Sequence, residues 1–151
     1  MKSLIMPSAM GEMEKRYFAQ TGTPSINLME RAARMLCDGI IRRYGSSPQI
    51  WFACGPGGNG GDGYACARMY AQAGGKCAVV PIAPPRSPDA IENLHRIRAM
   101  GISELNPGDL HGAPDIWVDA LYGTGLSRAP EGAAANLIER MNADHLRGSA
   151  V

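Results

Sequence analysis

Short apolar runs alternate with segments of helical periodicity along most of this chain. The runs at residues 50–54, 77–83 and 115–121 are continuously or nearly continuously apolar, which is typical of strands in a parallel sheet that is covered on both faces. A further short strand is expected near Ile102. The pattern therefore predicts a sheet whose strands are separated by other elements rather than joined by hairpins.

Amphipathic helices are predicted between these strands. Apolar residues keep a helical period from Ile26 to Tyr44, with Pro24 suited to the first turn and Gly45 to the stop. Further helices are expected at about residues 63–73, 91–101 and 134–141. This alternation predicts an α/β fold, a doubly wound, Rossmann-like three-layer sandwich with a mostly parallel sheet. A length of 151 residues fits one domain.

The most informative segment is a glycine loop at residues 54–63, which follows the first predicted strand and contains six glycines in ten residues. Glycine adopts positive φ and lets a ligand approach the backbone, so N–H groups at the start of the next helix are predicted to bind an anion such as phosphate. Asn59 and Asp62 are the side chains of this loop suited to polar chemistry. The structural alternative is a tight turn in which Asp62 only caps the helix.

Two common nucleotide-binding patterns are disfavoured. The spacing G-x-G-x-x-G occurs at residues 55–60, but the second strand, at residues 77–83, contains no carboxylate to hold ribose hydroxyls. The sequence also lacks the P-loop pattern G-x-x-x-x-G-K-[ST]. The glycine spacing alone is therefore weak support for an ordinary dinucleotide fold, and a P-loop nucleotidase is disfavoured.

A second candidate loop, at residues 119–128, follows the third long strand and is expected at the same edge of the sheet. Asp119 ends an apolar strand and is expected to need a partner such as a metal ion or ligand. Arg128 is suited to phosphate, with a solvated surface arginine as the alternative. Backbone freedom and hydroxyl groups come from Gly123, Gly125, Thr124 and Ser127.

Composition excludes several classes of function. The net charge of +1 and the absence of basic blocks with aromatics disfavour nucleic acid, and no apolar run is long enough to span a membrane. Pro7 interrupts the initial apolar run, so no secretory signal is expected and a cytoplasmic protein is predicted. The four cysteines have irregular spacing and are expected to be reduced core residues.

On these residues the chain resembles the NAD(P)H-hydrate epimerase family, also called the YjeF N-terminal domain family. Residues 22–30 (GTPSINLME) resemble the family's G-I-P-S-x-x-L-M-E. Residues 54–63 resemble C-G-P-G-N-N-G-G-D-G, and residues 118–126 resemble V-D-A-L-F-G-T-G-L. One departure is Gly58, which stands where the family has the first asparagine of a pair.

The resemblance implies an isomerase that interconverts the R and S forms of hydrated NADH and NADPH, called NADHX and NADPHX, so that a dehydratase can repair the S form. It also implies a potassium ion bound by Asn59 and Asp119. A homodimer and a dehydratase domain or partner are compatible with it. The implied substrate-binding residues are Gly58, Asn59, Gly60, Gly61, Asp62, Gly123, Thr124, Gly125, Leu126, Ser127, Arg128 and Ala129.

Asp62 is the first candidate for the catalytic acid and base, and Asp119 the second, because a carboxylate partly withdrawn from water is suited to proton transfer near neutral pH. The alternative is a non-catalytic nucleotide-binding or protein-interaction module with the same fold. The family continues into a strand with the sequence V-D-I-P-S-G, and residues 148–151 resemble only its opening. Residues 1–151 are therefore expected to form a domain without its C-terminal part, with impaired activity.

Overall fold

A computed structural model describes residues 7–151 of the chain. Residues 1–6, on which the prediction of no secretory signal mainly rests, lie outside the described part. The elements in chain order are α1 (Pro7–Thr21), α2 (Ser25–Tyr44), β1 (Gln49–Cys54), α3 (Gly58–Gln72), β2 (Lys76–Pro81), α4 (Pro88–Ala99), β3 (Ser103–Glu104), β4 (Ile116–Ala120) and α5 (Ala133–Leu146).

The four strands form one sheet in the order β3-β2-β1-β4, and every neighbouring pair is parallel. This confirms the predicted α/β fold with a parallel sheet. The order equals that of the first four strands of the doubly wound arrangement 3-2-1-4-5-6. The direction of winding therefore reverses between β1 and β4, where Cys54 pairs with Ala120 and both glycine loops begin.

Helices cover both faces of the sheet, which gives three layers. Ile50 and Phe52 point from β1 into a core shared with α2, α3 and α4. Trp51 and Ala53 point to the opposite face, where Trp117 of β4 and residues of α5 complete a second core. Because both faces are buried, the strands are continuously apolar rather than alternating, as the sequence predicted.

Asp144 holds α5 against the sheet although its side chain is fully buried. Its carboxylate accepts hydrogen bonds from the Trp117 indole N–H at 3.0 Å and from the Arg140 Nε at 2.9 Å. Ala150 lies beyond α5 and forms a parallel bridge with Ile116 of β4. The predicted opening of another strand at residues 148–151 is therefore observed as a single bridge on the outer edge of β4.

Two helices differ from the sequence prediction. The helix α1 was not predicted, and α3 begins at Gly58 rather than near Gly63. Glycine has low intrinsic helix propensity, so five residues that include three glycines show no helical pattern in the sequence. Tertiary packing of these glycines, described below, overrides that propensity.

The cysteines behave as predicted. Cys37, Cys54, Cys66 and Cys77 are free thiols, the first three buried and the last half-buried. Among the helices of residues 7–151, none combines the length and the apolar character needed to cross a membrane.

Candidate active site

The two predicted loops meet where β1 and β4 end. The Gly55 N–H donates a hydrogen bond to the Ala120 carbonyl oxygen at 3.0 Å. A Cβ atom at residue 55 would overlap the Leu121 carbonyl oxygen, so only glycine allows the two backbones to approach this closely. The first glycine of the loop, Gly55, is therefore required for the close contact between the two loops.

Asn59 connects the glycine loop to the second loop by its side chain. Its Nδ2 donates a hydrogen bond to the Tyr122 carbonyl oxygen at 3.0 Å, and its Cβ lies 3.6 Å from the position that a Cβ of residue 123 would occupy. The structure therefore brings together Asn59 and Gly123, which the sequence assigned to one substrate site.

The start of α3 exposes backbone donors. Gly57 is the N-cap and no side chain caps the helix, so the N–H groups of the first helical residues lack intrahelical partners. A Cβ atom at residue 57 or 58 would meet nothing within 4 Å. This open helix start is suited to an anion, as predicted. The alternative in which Asp62 caps the helix is wrong, because Asp62 lies in the second turn.

Gly60 and Gly61 have a different role from the predicted ligand approach. A Cβ atom on Gly60 would overlap the backbone of Gly55, and one on Gly61 would lie 2.6 Å from the Met29 Cε. Both residues are buried, and no glycine of this loop has positive φ. These two glycines let α3 pack against its own loop and against α2, so their side-chain positions face protein rather than ligand.

Asp62 lines a small cavity of about 240 Å³ and is partly buried. Residues from α1 to α4 line this cavity, mainly near the starts of α2, α3 and α4, and Asp89 at the start of α4 supplies a second carboxylate. The remaining residues that line it are Phe18, Ser25, Leu28, Met29, Ala32 and Gly58. The structure thus places Gly58 and Asp62 at one cavity, which is separate from the cavity that the second loop lines.

The second loop lines a larger cavity of about 570 Å³. Arg86, which was not among the residues predicted from the sequence, also lines it. Its backbone N–H donates a hydrogen bond to the Pro56 carbonyl oxygen at 2.9 Å. The available signal was its place as the only basic residue between β2 and α4. The predicted substrate residues at this cavity are Gly125, Leu126, Ser127, Arg128 and Ala129.

Asp119 differs from its expected environment. Its side chain is exposed rather than withdrawn from water, and its Oδ1 accepts a hydrogen bond from the Leu121 N–H at 3.0 Å. A metal ion or ligand was the expected partner of this carboxylate, and one partner that the structure shows is the backbone of its own loop. The carboxylate still lies at the carboxyl end of β4, beside the loop that holds Asn59.

The donor set of Asn59 and Asp119 fits a hard cation. The Asn59 amide nitrogen donates to the Tyr122 carbonyl oxygen, which leaves the amide Oδ1 as the atom of this side chain that can bind a cation. Carboxylate and amide oxygens are ligands that alkali and alkaline-earth cations accept. Within the described residues, His, Cys, Asp and Glu side chains form no cluster of three that could hold a metal ion.

Thiolate chemistry is excluded at the start of the glycine loop. The Cys54 side chain is buried beneath the loop, and burial, with a further contribution from Cys66, raises the pKa of its thiol well above the usual value. Cys54 therefore stays protonated and acts as a small core residue. The polar chemistry of this site comes from carboxylates, arginines, hydroxyls and backbone N–H groups.

Comparisons with known proteins agree on one family. The family model described as "YjeF-related protein N-terminus" matches residues 25–151. A protein of Limosilactobacillus fermentum named "NAD(P)H-hydrate epimerase" is 35% identical over 128 residues, which cover 83% of this chain and 62% of that protein. A Synechocystis protein named "Bifunctional NAD(P)H-hydrate repair enzyme Nnr" is 32% identical over 93% of this chain and 27% of its own length.

The fold has a solved counterpart. The crystal structure of the yeast protein ynu0 superposes with a TM-score of 0.75 at 18% sequence identity, over 93% of this chain and 67% of the yeast chain. At that identity the likeness concerns the fold. The present chain spans less than two thirds of the length of the curated relatives described above, at 62% and 27%.

Proposed function

Because this chain belongs to the family of YjeF-related protein N-termini, we propose that it epimerises NADHX and NADPHX by interconverting their R and S forms. One observation supports this most directly. The uncapped start of α3 meets the loop after β4 at the reversal point of the sheet, and two cavities are lined by residues next to this helix start, Pro56 and Gly58. Ligands of doubly wound folds bind at such a point, so we also class the fold as Rossmann-like.

The two cavities suggest how a dinucleotide would lie. Gly58 lines the smaller cavity and Pro56 the larger one, so the open helix start at Gly57 lies between them along the chain. We place the pyrophosphate at this helix start, the hydrated nicotinamide ring beside Asp62 and the adenosine half in the larger cavity. In this arrangement each predicted substrate-binding segment contacts a different part of one ligand.

The proposed chemistry is loss and return of one water molecule. Protonation of the ring hydroxyl lets its C–O bond break, and water leaves an iminium in which the ring nitrogen stabilises the positive carbon. Water then adds to the opposite face and returns a proton. Asp62 is the proposed acid in the first step and base in the second, with Asp119 as the second candidate.

Asn59 and Asp119 are the proposed ligands of a potassium ion. When bound, the cation would supply positive charge near the ring and the pyrophosphate. Without it, the Asn59 side chain still fixes the distance between the two loops through the Tyr122 carbonyl. The Asp119 carboxylate also orders the start of the second loop, since it accepts a hydrogen bond from the Leu121 N–H.

The test of the enzyme proposal follows the conversion of R-NADHX to S-NADHX by chromatography. Asp62→Asn should lower the rate at least about 100-fold, since general acid–base catalysis contributes about 10² to 10⁴. Asp89→Asn is the matched control, because it removes a carboxylate from the same cavity, and it should retain most of the rate. If Asp62→Asn is fully active and Asp119→Asn is not, the acid and base is Asp119.

The potassium proposal is tested by thermal unfolding in potassium chloride and in choline chloride at equal ionic strength. Potassium should raise the melting temperature of the unaltered chain, since a ligand that binds only the folded state stabilises it. Asp119→Ala should abolish this difference. An equal response of both proteins to potassium would assign Asp119 a purely structural role.

The second candidate function is a non-catalytic nucleotide-binding or protein-interaction module. The exposed position of Asp119 favours this candidate, because a carboxylate suited to acid–base catalysis is partly withdrawn from water. The Asp119 carboxylate is also already hydrogen-bonded within its own loop. Binding of NADPH by calorimetry, with no conversion of either form of NADHX, would support this candidate.

The proposal extends to partners and location. Relatives that are named bifunctional repair enzymes suggest that a dehydratase, as a domain or a separate protein, consumes the S form. We also propose a cytoplasmic location, and a homodimer is compatible with the described fold. Sedimentation of the chain with and without a dehydratase would test both associations.

A further inference from the structure

Two arginines line the larger cavity from two different loops. Arg86 comes from the segment between β2 and α4, and Arg128 from the loop after β4. Neither makes an ion pair with another residue of the described range 7–151. The third charged side chain at this cavity is Glu131, so the lining has a net positive charge. The cavity is therefore suited to an anionic group.

The position of Arg86 indicates which anion it binds. In doubly wound folds a carboxylate near the end of the second strand holds the ribose hydroxyls of NAD, whereas an arginine nearby accepts the 2′-phosphate of NADP. Here β2 ends at Pro81, and residues 82–87 include no carboxylate but do include Arg86. The chain thus has the charge pattern expected for a phosphorylated ribose.

The backbone fixes this segment beside the helix start. The Arg86 N–H donates to the Pro56 carbonyl oxygen, one residue before the N-cap of α3. A pyrophosphate at that helix start would leave the adjoining ribose in the larger cavity, within the same lining as Arg86. A guanidinium group can then contact two phosphate oxygens through parallel N–H donors.

We propose that Arg86 binds the 2′-phosphate of the substrate and makes this site prefer NADPHX to NADHX. The assignment rests on the proposed function for the substrate, but the binding site itself can be tested without turnover. Arg128 lies in the loop after β4 rather than after β2, and we assign it to the part of the dinucleotide that both substrates share.

The binding test uses calorimetry on the full 151-residue chain with two probes that differ by one group, adenosine 2′,5′-bisphosphate and 5′-AMP. The bisphosphate should bind about ten-fold more tightly or better, as expected for charge-assisted hydrogen bonds. Arg86→Gln should bring the two affinities together. Arg128→Gln should weaken both probes by a similar factor, and Arg42→Gln, the same charge change on α2 away from the cavity, should change neither.

Kinetics provide the second arm. Arg86→Gln should lower kcat/KM for NADPHX about ten-fold and leave that for NADHX nearly unchanged. An equal loss for both substrates would overturn the proposal and assign Arg86 to the pyrophosphate, and no change for either probe or substrate would make it a solvated surface residue. A protein that discriminates the two probes through Arg86 but never epimerises either substrate would refute the proposed function and keep this binding site.

Discussion

Glycines of the loop at residues 55–63 have two distinct roles. Gly55, Gly60 and Gly61 are required because a Cβ atom would collide with protein, whereas Gly57 and Gly58 face open space. The sequence predicted the ligand loop from its glycine density and its place between a strand and a helix, and neither distinguishes the two roles. The difference depends on what packs against each Cα, and those neighbours come from distant parts of the chain.

This distinction predicts unequal effects of the same glycine-to-alanine substitution at two positions. Gly60→Ala should lower the free energy of unfolding by about 1–3 kcal/mol or more, because the added methyl overlaps the rigid backbone of Gly55. Gly58→Ala should change it by less than about 0.5 kcal/mol or raise it, since alanine is the better helix former and its Cβ has room. Urea unfolding measures both, and equal midpoints would show that α3 does not pack as described.

At the scale of elements, one carboxylate joins three helices. Glu30 of α2 contacts Arg68 of α3 at 2.5 Å and Arg96 of α4 at 3.0 Å. The Arg68 side chain is only 11% exposed, so this pair is shielded from solvent more than an ordinary surface ion pair. The ion pairs therefore fix α2, α3 and α4, which all line the smaller cavity, to one another, and Glu30 itself follows Met29, a lining residue of that cavity.

Removal of this carboxylate should destabilise the fold through Arg68 in particular. Glu30→Gln should lower the free energy of unfolding by about 2–4 kcal/mol, since it leaves a largely buried guanidinium without its counter-charge. Glu92→Gln, which removes only an exposed partner of Arg96, should cost less than about 1 kcal/mol. A double-mutant cycle with Arg68→Met isolates the pair, and a coupling energy near zero would contradict the assigned interaction.

The elements that the sequence predicted well are those with a strong pattern. The apolar strands and the periodic helix at Ser25–Tyr44 agree with the structure within one or two residues. The helix α1 and the first turn of α3 were missed because their composition carries little periodicity. For the first turn of α3, contacts of Gly60 and Gly61 with Gly55, Met29 and Ala90 override the low helix propensity of glycine.

At the scale of the whole molecule, strand order decides which candidate residues share a site. The sequence placed both glycine loops at one edge of the sheet, and the pairing of β1 with β4 confirms that they are neighbours. Arg86 was missed because its relevance depends on β2 lying next to β1 and on the hydrogen bond to Pro56. The position of Asp62 at a separate cavity likewise follows from helix packing rather than from spacing.

The packing of thiols in the larger core predicts how stability depends on pH. Burial raises the pKa of the Cys77 thiol to about 11, and burial with neighbouring thiols also raises the pKa of Cys66. In the unfolded chain these groups titrate near 8.5. Between about pH 8.5 and 11 the folded state therefore holds more protons than the unfolded state, and stability must fall as pH rises.

We expect the free energy of unfolding, measured with urea under reducing conditions, to be nearly constant from pH 7 to 8 and to decline steadily up to pH 11. The decline should be shallower in Cys66→Ala, because this variant lacks one thiol whose folded pKa is raised while it keeps a small apolar side chain in the core. Burial also raises the pKa of Tyr64 and Tyr70, but both tyrosines are present in the two proteins, so the difference in slope reports on the Cys66 thiol. Identical slopes for the two proteins would mean that the Cys66 thiol ionises as readily in the folded core as in water.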